Sequence, residues 1–199
     1  MDEGKTRRRL LGGLGLGALA AGAAVLARPL VAALNGAQPP LKGKFGERFA
    51  LRETPAPVPA VPFKDRTGAE VSLPQFEGRV VLLNFWATWC APCIEEMPTL
   101  DALQQDLGSD RFTVMAVSQD VGGRETVAPF LRDKLDLQAL DIYLDPEGRL
   151  ARALDLRGMP TTYLIDARSR VVGELVGPAD WNAPEVKALI RHYIEQTAA

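Results

Sequence analysis

Both cysteines of the chain, Cys90 and Cys93, lie in the stretch NFWATWCAPCIEEMP (84–98). Two thiols at this spacing can bind a metal, form a structural disulfide or exchange electrons with another disulfide. A structural zinc site needs four ligands, typically Cys and His, and the chain adds one histidine, His192. A structural disulfide would close a very short loop, which restricts the unfolded chain least. The residue types therefore favour redox exchange, and we expect no metal ligands and no cofactor.

The flanking sequence predicts that Cys90 lies where a strand ends and a helix begins. The run RVVLLNFW (79–86) is typical of a strand buried on both faces. The stretch CIEEMPTLDALQQDLG (93–108) has helical spacing, and we expect Pro98 to kink it. The N–H groups at a helix N-terminus favour a negative charge and therefore a Cys90 thiolate. Cys93, one turn further on, is placed to attack a mixed disulfide formed by Cys90.

From residue 61 onward the sequence alternates between strand and helix patterns. Further strands are predicted at 112–120, 141–144, 161–166 and 170–177, and further helices at 125–135, 149–156 and 183–196. Such alternation, ending in a hairpin and a helix, indicates an α/β sandwich with a mixed sheet.

The charge of the chain is uneven. Residues 1–39 carry a net charge of +3, whereas the chain total is −2, which leaves −5 for residues 40–199. A mildly acidic domain lacks the basic face that nucleic acids require. We therefore expect no nucleic-acid partner.

The basic start leads into the apolar run LLGGLGLGALAAGAAVLA (10–27). As a helix, its eighteen residues would span about 27 Å, close to the roughly 30 Å of a bilayer's hydrocarbon core. Residues 1–34 are therefore predicted to be a cytoplasmic basic tip and a signal anchor, with everything after it outside. A cleaved leader is the alternative, because 21–23 and 25–27 are acceptable small-residue sites. The segment TRRRLLG (6–12) also resembles a twin-arginine export signal.

A proline-rich stretch follows the apolar run. Residues 35–60 contain AQPPLKGK and TPAPVPAVP, and prolines this frequent favour an extended spacer over packed structure. The folded domain is therefore predicted to cover residues 61–199. Because it follows an export segment, we expect it to work in an oxidising compartment.

The motif NFWATWCAPC resembles the active site of the thioredoxin superfamily, in which a strand ending in tryptophan precedes Cys-x-Pro-Cys. Pro98 and the segment GMPTTYLID (158–166) also match. Within the superfamily the chain is similar to the TlpA-like branch, through LNFWATWCAPCIEEMPTL, the tail GPADWNAPEVKALI and about 65 residues between Cys93 and Pro160. The resemblance covers about residues 60–197. It implies a thioredoxin-like three-layer α/β/α sandwich with a mixed central sheet, a strand–helix insertion before the cis-proline strand, and an N-terminal membrane helix.

The resemblance also implies what the residues around the cysteines do. Cys90 is the nucleophile and Cys93 the resolving thiol, and the two form a redox disulfide on either side of Ala91 and Pro92. Trp89 either offers a flat apolar surface for partner docking or belongs to the core. We favour the docking role.

A proline and an acid complete the expected site. By the resemblance, Pro160 is a cis-proline packed against the disulfide, and Met159 lies beside the dithiol. Small cytosolic thioredoxins keep a buried aspartate where this chain has Asn84, which cannot titrate. Glu96 is the candidate proton carrier, since members of the branch have a functional glutamate at the matching place. The alternative for Glu96, and more so for Glu95, is a solvated acid in the first turns of a helix.

These features predict an exported protein-disulfide oxidoreductase, either a single-pass protein of the bacterial cytoplasmic membrane with its domain in the periplasm, or cleaved and soluble there. The resemblance implies that it reduces disulfides in proteins of respiratory assembly, namely apocytochromes c, copper-delivery proteins or oxidase subunits. It also implies a membrane electron donor that recharges the thiols. Three alternatives stay open: a disulfide-forming oxidase, a peroxidase and a non-enzymatic copper chaperone.

Overall fold

The computed structural model of the chain describes residues 38–196. The strands are β1 (Ala50–Pro57), β2 (Phe63–Lys64), β3 (Glu70–Val71), β4 (Val80–Trp86), β5 (Phe112–Ser118), β6 (Tyr143–Leu144), β7 (Thr161–Ile165) and β8 (Arg170–Val176). The helices are α1 (Gly43–Arg48), α2 (Ala91–Leu107), α3 (Gly123–Pro129), α4 (Arg149–Ala153) and α5 (Pro184–Gln196). A 3-10 turn covers Leu73–Phe76, and α3 continues into a π-helical turn at Phe130–Lys134. Each strand and helix predicted from residue 79 onward is present, with some ends shifted by a few residues.

Within the described residues, eight strands form one sheet in the order β1-β8-β7-β4-β5-β6-β2-β3. β4 runs parallel to β5, and β5 parallel to β6, whereas β7 is antiparallel to both β4 and β8. The predicted mixed sheet is therefore confirmed. β6 and α4 lie between α2 and β7 in the chain, where we expected a strand–helix insertion. These strand directions bring the ends of β4, β5 and β8 to the edge of the sheet at which β7 begins.

Helices cover both faces of this sheet. Because side chains alternate along a strand, Leu82 and Trp86 of β4 face one core while Leu83 and Phe85 face the other. The first core also holds Met97, Leu100 and Leu103 from α2 and Val186, Leu189 and Ile190 from α5. The second core holds Leu150 and Ala151 from α4 and Leu73 from the 3-10 turn. The sheet therefore lies between two helical layers, as predicted.

The prediction of an extended spacer at 35–60 is wrong for residues 43–57. These residues form α1 and β1, and β1 pairs with β8 in antiparallel orientation. Phe45 and Phe49 from this stretch are buried in the first core. The packed structure therefore begins well before residue 61.

The sequence of β1 explains why the pattern of this segment predicts a spacer and not a strand. Pro55 and Pro57 indicated a spacer, but β1 is an edge strand, and an edge strand tolerates the missing N–H of proline. The partner strand contributes Gly173, where a Cβ would lie 2.4 Å from Cε1 of the Phe49 ring. A glycine at this position therefore allows Phe49 to lie against the sheet.

The predicted membrane segment at 10–27 and the predicted domain boundary after residue 34 lie outside the described residues. Among residues 38–196, no helix is both long enough and apolar enough to cross a bilayer.

Candidate active site

The disulfide lies at the N-terminus of α2, one short loop after β4. Cys90 and Cys93 are bonded to each other, with their Cα atoms 5.3 Å apart. Cys90 is the N-cap residue of α2, and its carbonyl oxygen accepts the Ile94 N–H at 3.1 Å. Ala91 and Pro92 form the exposed first turn, where a missing proline N–H has no cost. Cys90 is 7% exposed and Cys93 0%, so Cys90 is the more exposed of the two cysteines.

An open depression of about 590 Å³ lies beside Cys90. Residues 89–92 line one side of it, and residues 156–159 line the other. Trp89 is 69% exposed, so its ring belongs to this surface and not to the core. The Met159–Pro160 peptide bond is cis, which confirms the predicted isomer. The structure therefore brings the predicted Trp, Cys and Met positions together around one surface.

The loop that precedes Cys90 is held by the buried side chain of Asp120. Thr88 donates its backbone N–H to Asp120 Oδ2 at 2.9 Å and its hydroxyl to Oδ1 at 2.6 Å. The Ser118 hydroxyl donates to Asp120 Oδ2 at 2.7 Å. The sequence alone does not indicate a role for Asp120, and its one signal is an acid at the end of the neighbouring parallel strand. These contacts fix the peptide that carries Trp89 and Cys90.

Glu96 is buried, with 2% of its surface exposed, and its carboxylate accepts three hydrogen bonds. Asn84 donates Nδ2–H to Oε1 at 2.7 Å. The Ala179 N–H and the Trp181 indole N–H donate to Oε2 at 3.0 Å and 2.8 Å. The alternative of a solvated helix acid is therefore wrong for Glu96. Glu95, in contrast, is exposed.

Burial raises the pKa of Glu96 above its ordinary value of 4.5, because an ionised carboxylate loses its water shell in the core. Hydrogen bonds from Trp181, Ala179 and Asn84 and the positive charge of Arg48 oppose this rise in pKa without cancelling it. The carboxyl group therefore exchanges its proton at a higher pH than an exposed glutamate does. Such a shift suits a group that must both accept and return a proton.

Two residues that support this site, Trp181 and Arg48, are not among those predicted from the sequence. Trp181 is fully buried, and 85 positions separate it from Glu96. Arg48 donates to the carbonyl oxygens of Pro178 and Val176 at 3.0 Å and 3.3 Å. Contacts between residues so far apart leave no periodic pattern in the sequence, so these two roles cannot be predicted from helix or strand spacing. The tryptophan within GPADWNAP was the one sequence signal for this support.

Dithiol–disulfide exchange needs an accessible cysteine, a second thiol that resolves the mixed disulfide, and a route for the proton. Cys90 and Cys93 supply the two sulfurs, and with the mixed sheet they define a protein-disulfide oxidoreductase of thioredoxin-like fold. Residues 54–173 match the model of the AhpC/TSA family, which is more than half of the chain. The chain belongs to this family.

Individual relatives agree with this class. The chain is 34% identical over 121 residues to the thioredoxin-like protein YneN of Bacillus subtilis, a match covering 60% of this chain and 69% of YneN. It is 30% identical over 116 residues to the thiol-disulfide oxidoreductase ResA of Bacillus thuringiensis, covering 57% of this chain and 64% of ResA, slightly less than two thirds of that protein. Among solved structures, it is similar to a Chlorobium tepidum protein described as a candidate thiol:disulfide interchange protein DsbE. That match has a TM-score of 0.60 and 27% identity and covers 71% of this chain and 98% of the other.

Proposed function

We propose that the chain is a periplasmic reductant of protein disulfides, attached to the cytoplasmic membrane through its N-terminal segment. The Cys90 thiolate attacks one sulfur of a client disulfide, and the other client sulfur leaves as a thiolate. Cys93 then attacks the Sγ of Cys90 in the mixed disulfide, releases the second client thiolate and forms the Cys90–Cys93 disulfide. Two electrons pass to the client, and its two thiolates take up the two protons that the enzyme thiols lose.

The observation that carries the direction of transfer is the buried carboxylate of Glu96, one turn after Cys93 on α2. A nearby negative charge disfavours a thiolate on Cys93. A dithiol whose thiolate form is not stabilised is the more reducing one, as the contrast between strong oxidants and thioredoxin shows. Glu96 also offers an acceptor for the proton of Cys93 during attack on the mixed disulfide. The position and charge of Glu96 therefore favour a reductant over a disulfide-forming oxidase.

The clients we propose are those that the TlpA-like resemblance implies, namely apocytochromes c, copper-delivery proteins or oxidase subunits. The depression beside Cys90 is open and mainly apolar, with the exposed Trp89 ring at its rim. Such a surface suits an extended client segment that carries a disulfide. The Cys-x-x-Cys-His segment to which haem c attaches is one example. A membrane electron donor then returns the oxidised enzyme to its dithiol form.

The direction of transfer is tested by the reduction potential of the Cys90–Cys93 couple. We expect a value more negative than about −220 mV, on the thioredoxin side of the known range. Equilibration with glutathione or thioredoxin buffers, followed by quantification of free thiols, measures it. A potential near that of strong periplasmic oxidants, about −120 mV, would contradict the proposal.

Clients are identified by trapping with Cys93→Ser in the full chain. This variant lacks the resolving thiol, so Cys90 should remain bonded to each client as a mixed disulfide. The matched control is Cys90→Ser combined with Cys93→Ser, which should trap nothing. When dithiothreitol is added to break the trapped mixed disulfides, we expect apocytochromes c or copper-site proteins among the released partners. Trapping that is equal in the control variant would show that the complexes do not form through Cys90.

A further inference from the structure

Trp181 connects the active-site acid to a segment of the chain that has no part in the exchange chemistry. Its indole N–H donates to Glu96 Oε2 at 2.8 Å, and its backbone N–H donates to the Thr99 hydroxyl at 3.1 Å. The Trp181 side chain is fully buried in the first core. The indole N–H is therefore held in one direction, toward the carboxylate.

Helix α1 holds the segment that carries Trp181. The Phe45 ring meets the Trp181 ring edge-on, with the centroids 6.0 Å apart. The Arg48 guanidinium donates to the carbonyl oxygens of Pro178 and Val176, immediately before the Ala179 N–H that also reaches Glu96. Residues 43–57, which form α1 and β1 and are called the N-terminal arm below, therefore support two of the three donors to the Glu96 carboxylate.

We propose that Trp181 is a positioning residue for disulfide exchange: its indole N–H orients the Glu96 carboxylate and favours its ionised form, and α1 keeps the ring in place. The proposal rests on the proposed role of Glu96 as the proton carrier.

The groups around the carboxylate come from four parts of the fold. Asn84 donates from β4, and Ala179 and Trp181 donate from the segment before α5. Arg48 acts from α1 through its charge, and Cys93 precedes Glu96 by one turn on α2 itself. Arg48 is thus a charged group that, together with the neutral donors, favours the ionised form of the Glu96 carboxylate.

The test is Trp181→Phe, which keeps an aromatic ring and removes the N–H. The Glu96 side-chain carboxyl is followed by ¹³C NMR against pH in the oxidised protein, where the disulfide sulfurs do not titrate. We expect the pKa of Glu96 to rise by about one unit, roughly a tenfold change in proton affinity. In the reduced enzyme, the acid limb of the pH–rate profile should move to higher pH in the same direction. An unchanged Glu96 titration in this variant would overturn the proposal.

A matched control is Trp86→Phe. Trp86 is equally buried, but its Nε1 has no hydrogen-bond partner within the described residues. This variant should leave the Glu96 titration where it is, and an equal shift in both variants would mean that a loosened core causes it. Should Trp181→Phe not fold, benzothienylalanine at position 181 replaces the N–H by sulfur in the same bicyclic shape, with the same expected rise. Because the titration uses oxidised protein and no client, its outcome does not depend on whether the chain reduces disulfides.

Discussion

Asn84 and Glu96 form a buried pair in which one partner can ionise and the other cannot. Asn84 donates through Nδ2 to Glu96 Oε1 at 2.7 Å and to the Thr162 hydroxyl at 2.9 Å. An amide at this position adds no second titratable group and donates a hydrogen bond to the Glu96 carboxylate. Among these three side chains, Glu96 alone therefore has a carboxyl group that can exchange a proton.

Asn84→Asp places a second carboxyl within hydrogen-bonding distance of Glu96. Two carboxylates that share a site cannot both ionise easily, so the pair should hold one proton to a higher pH than Glu96 alone does. The folded state then binds more protons than the unfolded state, and the free energy of unfolding should fall more steeply with rising pH than in the wild type. Urea unfolding from about pH 5 to about pH 9 measures this, with Asn84→Ala as the uncharged control. A pH dependence equal to that of Asn84→Ala would contradict the expectation.

Glu96→Gln keeps the shape of the side chain and removes its charge. The pKa of Glu96 is raised in the folded state, so its contribution to stability is fully present below the unfolded value of 4.5 and is lost as pH rises through the folded value. Glu96→Gln cannot lose stability in this way. As pH rises from 4.5 through the folded-state pKa of Glu96, the free energy of unfolding of the variant should therefore increase relative to that of the wild type. Client reduction should be slower, with a changed pH–rate profile, because the proton of Cys93 loses its acceptor. If the pH–rate profile of Glu96→Gln overlays that of the wild type, Glu96 is not the acceptor and the proton must pass through water or Glu95.

At the scale of elements, α1 and β1 show that the N-terminal arm belongs to the folded domain. A chain that starts at residue 61 loses the buried rings of Phe45 and Phe49 and exposes the edge of β8. We expect its free energy of unfolding to be lower by on the order of 5 kcal/mol, since burying each such ring stabilises a core by several kcal/mol. Urea unfolding compares it with a chain that starts at residue 38, which keeps both elements. Equal midpoints would show that the arm adds no stability.

The elements near the cysteines could be predicted because their local patterns are strong. The unbroken apolar run of β4 and the helical spacing of α2 leave little choice of structure. β2 and β3, in contrast, have two residues each, too few to show any period. In β1 the prolines signalled a spacer, and the pairing with β8 outweighed that signal.

The candidate site divides in a similar way. The two cysteines and the cis-proline could be located from a short motif and a segment that matches a known pattern. The burial of Glu96 could not, because helical spacing alone does not exclude a solvated acid at that position. Its donors Ala179 and Trp181 follow it by more than eighty positions, and the sheet brings them together. Contacts between residues so far apart in the chain follow from the tertiary fold and cannot be predicted from local sequence patterns.

At the scale of the whole molecule, we predict that one part of the chain determines its location and another part carries out the disulfide exchange. The contacts that build the site come from residues 45–181, whereas the predicted anchor covers 10–27. We therefore expect a chain starting at residue 38 to reduce insulin or a similar test disulfide at the rate of the full chain. In cells, the full chain should sediment with membranes, and the shortened chain, exported with an unrelated cleavable leader, should not. Fusion to an unrelated signal anchor should restore the membrane fraction without changing the rate. A markedly slower shortened chain would mean that residues before 38 contribute to the exchange itself.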